Sequence, residues 1–204
     1  MRRLRVAGRP DDAGVTLAEL LIYMVLLALV VTITGVIYVR TLVTQRDVQA
    51  RAYASNQGQV VMTSIEGTLR NAVKVSTPSA FSGRLLLAQT RIGDADTDAS
   101  FECVGWLFDP TTGSLRKVES PPGPTAATRG LTLASSFSAW QTMLTNATVT
   151  TIAGADQPVF SPEGATGARI RFDITNTRGG QPTTFESAAI PRTYTVPSGV
   201  SSCF

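Results

Sequence analysis

Histidine is absent from all 204 residues, and cysteine occurs only twice. Without histidine the chain lacks the commonest general base near neutral pH and the commonest zinc ligand. A Ser–His or Cys–His nucleophile therefore cannot be assembled from its own side chains. A marked excess of charge is missing too. Four of the 18 basic residues and two of the 15 acidic ones fall within the first 14 positions, which leaves 14 against 13 over the remainder. So even a balance, scattered along the chain, does not supply the basic patch that nucleic-acid binding requires.

What is present is a long apolar run. Residues 15–39 carry one charge, Glu19, and a helix of that length reaches across a bilayer at about 1.5 Å per residue. An acid inside such a run is costly and normally has a partner or a task. The preceding stretch holds Arg2, Arg3, Arg5 and Arg9 against Asp11 and Asp12, a bias that keeps the N-terminus cytoplasmic and sends everything after Val39 outward. A cleavable secretory signal is the first rival, but its apolar core is shorter and ends in an A-x-A-like site that this run lacks. An ordinary membrane anchor is the second, with Glu19 snorkelling to the interface.

The junction itself reads Gly14-Val15-Thr16-Leu17-Ala18-Glu19-Leu20-Leu21. It resembles the class III signal of type IV pilins and type II secretion pseudopilins, over residues 9 to 40. The resemblance implies cleavage after Gly14 by a prepilin peptidase, N-methylation of Val15 and a glutamate at the fifth mature position, which Glu19 fills. Phenylalanine is commonest at the first mature position, so Val15 departs from the pattern. The physical logic is compatible: glycine lets a protease approach the backbone closely. The amine freed at Val15 can then pair with Glu19 of a neighbouring subunit, in a surrounding where attraction and desolvation are both larger than in water.

Beyond Val39 the helical pattern continues with charge. Arg40, Arg46, Asp47 and Arg51 appear, and an apolar stripe of Val61, Ile65, Leu69, Ala72 and Val73 follows at three- and four-residue spacing. This predicts an amphipathic continuation over residues 40–74, with Gly35, Gly58 and Gly67 as weak points. Residues 75–204 read as a β-rich head, with strands at 84–89, 101–108, 114–118, 148–152, 168–175, 183–188 and 193–196. Asp109-Pro110-Thr111-Thr112-Gly113 forms the turn of its clearest hairpin, where Gly113 is expected to take positive φ. The spacing of Phe137, Trp140, Met143 and Leu144 predicts a short helix. The expected fold is α+β, a helical spine against a single antiparallel β-rich head, loosely similar to larger minor pilins and the J-type pseudopilin.

Outside the membrane, Cys103 and Cys203 are expected to form one disulfide. Asp94, Asp96 and Asp98 alternate like the opening of a calcium loop, but Ala99 and Gly105 stand where glycine and a bidentate glutamate belong, which favours a solvated turn. Asn146-Ala147-Thr148 matches a glycosylation acceptor, a tripeptide common by chance. No cofactor and no catalytic cluster is evident. The expectation is a non-enzymatic minor pilin precursor, single-pass in the cytoplasmic membrane with its head outside. Its partners would be other pilin subunits, the prepilin peptidase and an inner-membrane assembly platform. The alternatives are a pseudopilin of protein export and, from another class, a signal-anchored surface enzyme or sensor.

Overall fold

The computed structural model describes residues 16–120, 140–175, 181–192 and 200–204, and the chain divides into two compact units between Asp47 and Val48. One helix, α1 (Leu17–Arg70), runs through both. No proline occurs between Pro10 and Pro78, so nothing removes a backbone donor along it. Thr16 caps its start, its Oγ1 accepting from the Glu19 N–H at 3.3 Å.

In the first unit the apolar side chains of the helix from Leu17 to Val39 are all exposed. Between residues 17 and 39 the large ones are exposed by 49 % at Val36 to 80 % at Leu17. Thr32, Thr34 and Thr41 donate their hydroxyls to the carbonyls of Ala28, Val30 and Ile37 at 2.7–2.9 Å, so these polar groups are satisfied within the helix. The helix is long and apolar enough to span a membrane, which fits a single-pass membrane protein.

Among the described residues the second unit comprises the rest of α1 and eleven strands. Five form one antiparallel sheet in chain order: β1 (Ala72–Ser76), β2 (Leu85–Arg91), β3 (Phe101–Asp109), β4 (Ser114–Ser120) and β5 (Gln141–Leu144). In the second sheet, β10 (Gly167–Ile174) pairs with β11 (Thr183–Ala189) along one edge. Along its other edge it pairs with β6 (Ala147–Thr148) and β9 (Phe160–Glu163). A small hairpin joins β7 (Thr151–Ile152) to β8 (Ala155–Asp156).

The core lies where helix and both sheets meet. Val61, Met62, Ile65 and Leu69 of α1 share one apolar cluster with Leu86, Val104, Trp106 and Phe108 of the first sheet and Ile170 and Phe172 of the second. Strands β2 and β3 are buried on both faces, because Leu85, Leu87 and Leu107 point into a second cluster with Phe81 and Trp140. That explains their near-continuous apolar sequence. Strand β10 alternates instead. Its outward Arg169 bonds Glu163 (2.8 Å) and Glu186 (3.3 Å), and Arg171 also reaches Glu186. Hydrogen bonds from Arg169 and Arg171 hold the Glu163 and Glu186 carboxyls, respectively, below their ordinary range.

Several expectations need correction. Helix α1 ends at Arg70, and Ala72 and Val73 belong to β1, whose β-branched residues pair with β2. Residues 141–144 form strand β5 rather than a helix, because the edge of β4 supplies their hydrogen bonds. A register shift opposite Leu115 and Arg116 sends Leu144 to the main cluster and Trp140 to the second. Phe137 and residues 193–196 lie outside the described residues. The expected strand at 148–152 is split between β6 and β7. Gly113 has the expected positive φ of 60°, and Asp109 accepts from the Thr111 N–H and the Thr112 hydroxyl in the same turn.

Gly58 is not a weak point but a seat. A Cβ there would lie 2.1 Å from the tip of Phe185, whose ring stacks on Phe172 at 5.4 Å. Gly58→Ala is expected to cost about 1–3 kcal/mol through overpacking, reduced by up to about 1 kcal/mol of helix propensity. With Phe185→Ala already present, the same change should become stabilising. Denaturation followed by tryptophan fluorescence tests the sign, and an equal cost in both backgrounds would exclude the contact.

Candidate functional site

The first candidate is the start of α1. Glu19 lies in the first turn, where the partial positive charge of the helix N-terminus favours a carboxylate. One turn on, the Tyr23 hydroxyl donates to Glu19 Oε1 at 3.1 Å, and both side chains are exposed. A carboxylate offers about four lone-pair positions, so this single donor leaves room for a cation. Tyr23 was missed by sequence reasoning, although the i, i+4 spacing of glutamate and tyrosine was a readable signal. Gly14 and Val15 lie outside the described residues.

The acidic triplet does not assemble into a ligand set. Arg91 donates to the carbonyls of Gly93 (2.7 Å) and Asp94 (2.5 Å) and approaches Asp96 Oδ1 at 3.6 Å. Asp98 instead accepts from the N–H and hydroxyl of Ser201 at 2.7 and 3.0 Å. Among the described residues no three His, Cys, Asp or Glu side chains are placed to hold a metal ion. Loop oxygens that a calcium ion would need are turned toward an arginine, and Asp98 toward the residue 200–204 segment.

That segment is fastened to the first sheet at several points. Cys103 and Cys203 form a disulfide with Cα atoms 5.6 Å apart. Gln89 Nε2 donates to the Ser201 carbonyl at 3.0 Å. Lys74 Nζ donates to the Phe204 carbonyl at 2.7 Å and sits 4.9 Å from the centre of the Phe204 ring. The cysteine pair was legible because the chain holds no other choice. Lys74, Gln89 and Asp98 were not, since nothing local links them to residues more than 100 positions away.

The clefts offer little chemistry. One of about 570 Å³ is lined mainly by apolar groups such as Phe108, Pro158 and Pro162, with Asp156 and Arg84 as its sole acid and base. Another, of about 400 Å³, holds Arg70, Arg91, Arg192 and Asp94. Glu102 is pushed above its ordinary carboxylate value by burial and then by Glu119, with Lys117 opposing, yet it lines neither cleft. Compared with models of known protein families, with curated proteins and with solved structures, the chain matches none.

Reducing the bridge, or replacing both cysteines by alanine, is expected to lower the unfolding free energy by roughly 2–5 kcal/mol. Denaturant midpoints with and without reductant measure this. An unchanged midpoint would mean that the polar contacts of Gln89, Asp98 and Lys74 hold the segment unaided.

Proposed function

We propose that this chain is the precursor of a minor type IV pilin, cut after Gly14 by a prepilin peptidase and built into, or priming, a surface filament. The observation that carries the reading is a continuity. The Gly14-Val15-Thr16-Leu17-Ala18-Glu19 junction stands in sequence directly before and at the start of a helix whose apolar side chains are exposed from Leu17 to Val39, and the same helix ends as the buried spine of a β-rich head. Removal of the stub leaves an amine at Val15 beside an uncovered apolar helix. Its partner is Glu19 of the adjacent subunit, whose carboxylate has one intramolecular donor and spare acceptor capacity. Uncovered apolar surface on this scale drives association in a membrane or in a helical bundle. The function is assembly rather than catalysis, and the absence of histidine from the whole sequence supports that choice.

A pseudopilin of protein export shares the same signal and the same need for a spine. Gene neighbourhood separates the two, since an export channel and a retraction motor belong to different machines. A signal-anchored enzyme or sensor would instead keep its leader.

Mass spectrometry of the native protein is the first test: a mature chain beginning at Val15, free or methylated, is expected, and retention of Met1 or Arg2 would overturn the reading. Glu19→Ala should leave insertion and processing intact while lowering filament incorporation at least tenfold. Tyr23→Phe, which removes only the intramolecular donor, should incorporate normally. Equal incorporation of Glu19→Ala and the unaltered chain would exclude the amine pairing.

A further inference from the structure

The turn between β5 and β6 presents two side chains that neither the core nor the hydrogen-bond network uses. Asn146 has a φ of 63°, a left-handed conformation that asparagine tolerates better than most residues. Its carbonyl accepts from the Thr175 N–H at 3.0 Å and the Thr175 hydroxyl at 3.1 Å, while its side-chain amide has no partner among the described residues. Two positions on, Thr148 pairs with Asp173 through the strand register, and its hydroxyl is equally unengaged among the described residues. Both residues are exposed, whereas Ala147 between them is buried.

Beside this turn lies a shallow cleft of about 120 Å³, lined by Tyr53 and Gln57 of α1 and by Thr145, Asn146 and Thr175. Tyr53 is 66 % exposed. Gln57 Nε2 donates to its hydroxyl at 2.6 Å, which fixes the polar tip of the ring. An exposed aromatic ring surrounded by hydroxyl and amide groups suits a sugar, whose C–H face packs on the ring while its hydroxyls meet the polar rim. Clefts that hold free small ligands run from roughly 300 to 1,000 Å³, so this one is too small to retain a ligand unaided. A covalent tether at Asn146 would supply the local concentration that so shallow a seat lacks.

We propose that Asn146 is an N-glycosylation site, with Thr148 as the hydroxyl that the transferase recognises and Tyr53 as the seat of the first sugar. The donor is an oligosaccharide joined to a lipid pyrophosphate. Asn146 Nδ2 bonds to the anomeric carbon as the C–O bond to pyrophosphate breaks, and one amide proton passes to a base of the transferase. The step is redox-neutral. Ala147 is buried and its N–H donates to the Gly113 carbonyl at 2.8 Å, so the folded turn does not open to an enzyme, and the sugar is added before β6 pairs. The finished fold accepts the bulky product because Asn146 and Thr148 stay outside the core. The inference rests on the outward placement of the head, which the filament reading includes.

The test uses the full chain from its native cells, with the mature N-terminus and the peptide that holds Asn146 both read by mass spectrometry. An added sugar mass on Asn146 is expected. Asn146→Asp, which keeps the left-handed turn but removes the acceptor nitrogen, should abolish it. Thr148→Ala should abolish it as well, and Thr148→Ser should retain it, with tryptophan fluorescence confirming that each head is folded. Tyr53→Ala should leave the sugar attached but let a glycosidase trim it up to about tenfold faster, as loss of one ring contact implies. An equal trimming rate would overturn Tyr53 as the seat. A bare Asn146 on a chain that begins at Val15 would overturn the site and leave the filament reading standing. An added mass that survives Asn146→Asp would place the sugar elsewhere and also overturn the site. A sugar on Asn146 of a chain that keeps its leader would overturn the filament reading and leave the site.

Discussion

One helix is exposed and apolar in its first half and buried in its second, and the packing of that second half against both sheets at once is the constraint on which the head depends. Val61, Ile65 and Leu69 are buried in the same cluster as Trp106 from one sheet and Phe172 from the other. Remove the helix and each sheet would present its main apolar face to water. At about 25 cal/mol per Å² that exposure is large compared with the 5–15 kcal/mol by which domains are stable, so the two sheets cannot be regarded as independent of the spine. Gly58 marks how close the approach is. The ring of Phe185 occupies the space of a missing side chain, and Glu66 accepts from Ser187 at 2.6 Å two turns further along. An apolar contact and a polar one thus fix both the height and the rotation of α1 over β11.

The first sheet solves a different problem. Because β2 and β3 are buried on both faces, something has to lie over the side opposite the helix. Phe81 and Trp140 cover part of it, and Phe204 packs at its border beside the disulfide. The bridge closes a loop separated by 100 positions, which restricts the unfolded chain far more than a short loop would. The polar contacts of Asp98, Gln89 and Lys74 then orient a segment that the covalent bond alone would merely tether. Asp98 serves this purpose, accepting from the N–H and hydroxyl of Ser201.

What could be read from residues alone follows the range of the forces involved. A helix long and apolar enough to span a membrane, its continuation as a spine and the hairpin at Gly113 rest on local periodicity and turn chemistry, and all three are in the structure. The cysteine pairing was legible by count. Strand β1 was not, because Leu69, Ala72 and Val73 fit helical spacing as well as they fit a strand, and the deciding partner is β2, more than ten residues on. Trp140, Met143 and Leu144 misled in the same way. Their three- and four-residue spacing is equally that of a bulged strand, and only pairing with β4 distinguishes the two. The two-residue strands β6, β7 and β8 are shorter than any propensity window, so tertiary pairing alone defines them.

Glu19 shows how a marginal charge is kept usable. In water an ion pair at 4 Å is worth about 1 kcal/mol, and near an effective dielectric of 20 about 4 kcal/mol, but the desolvation of each partner offsets much of the difference. A lone carboxylate on an uncovered apolar helix would carry that desolvation with no return. The Tyr23 hydroxyl and the helix N-terminus together lower it before any partner arrives, without adding a positive charge that would have to be displaced. A neutral donor can remain while an amine approaches the other lone pairs, whereas a lysine at position 23 would have filled the site. In the assembly proposed above, a phenol one turn from the acid would suit a carboxylate that receives an external cation.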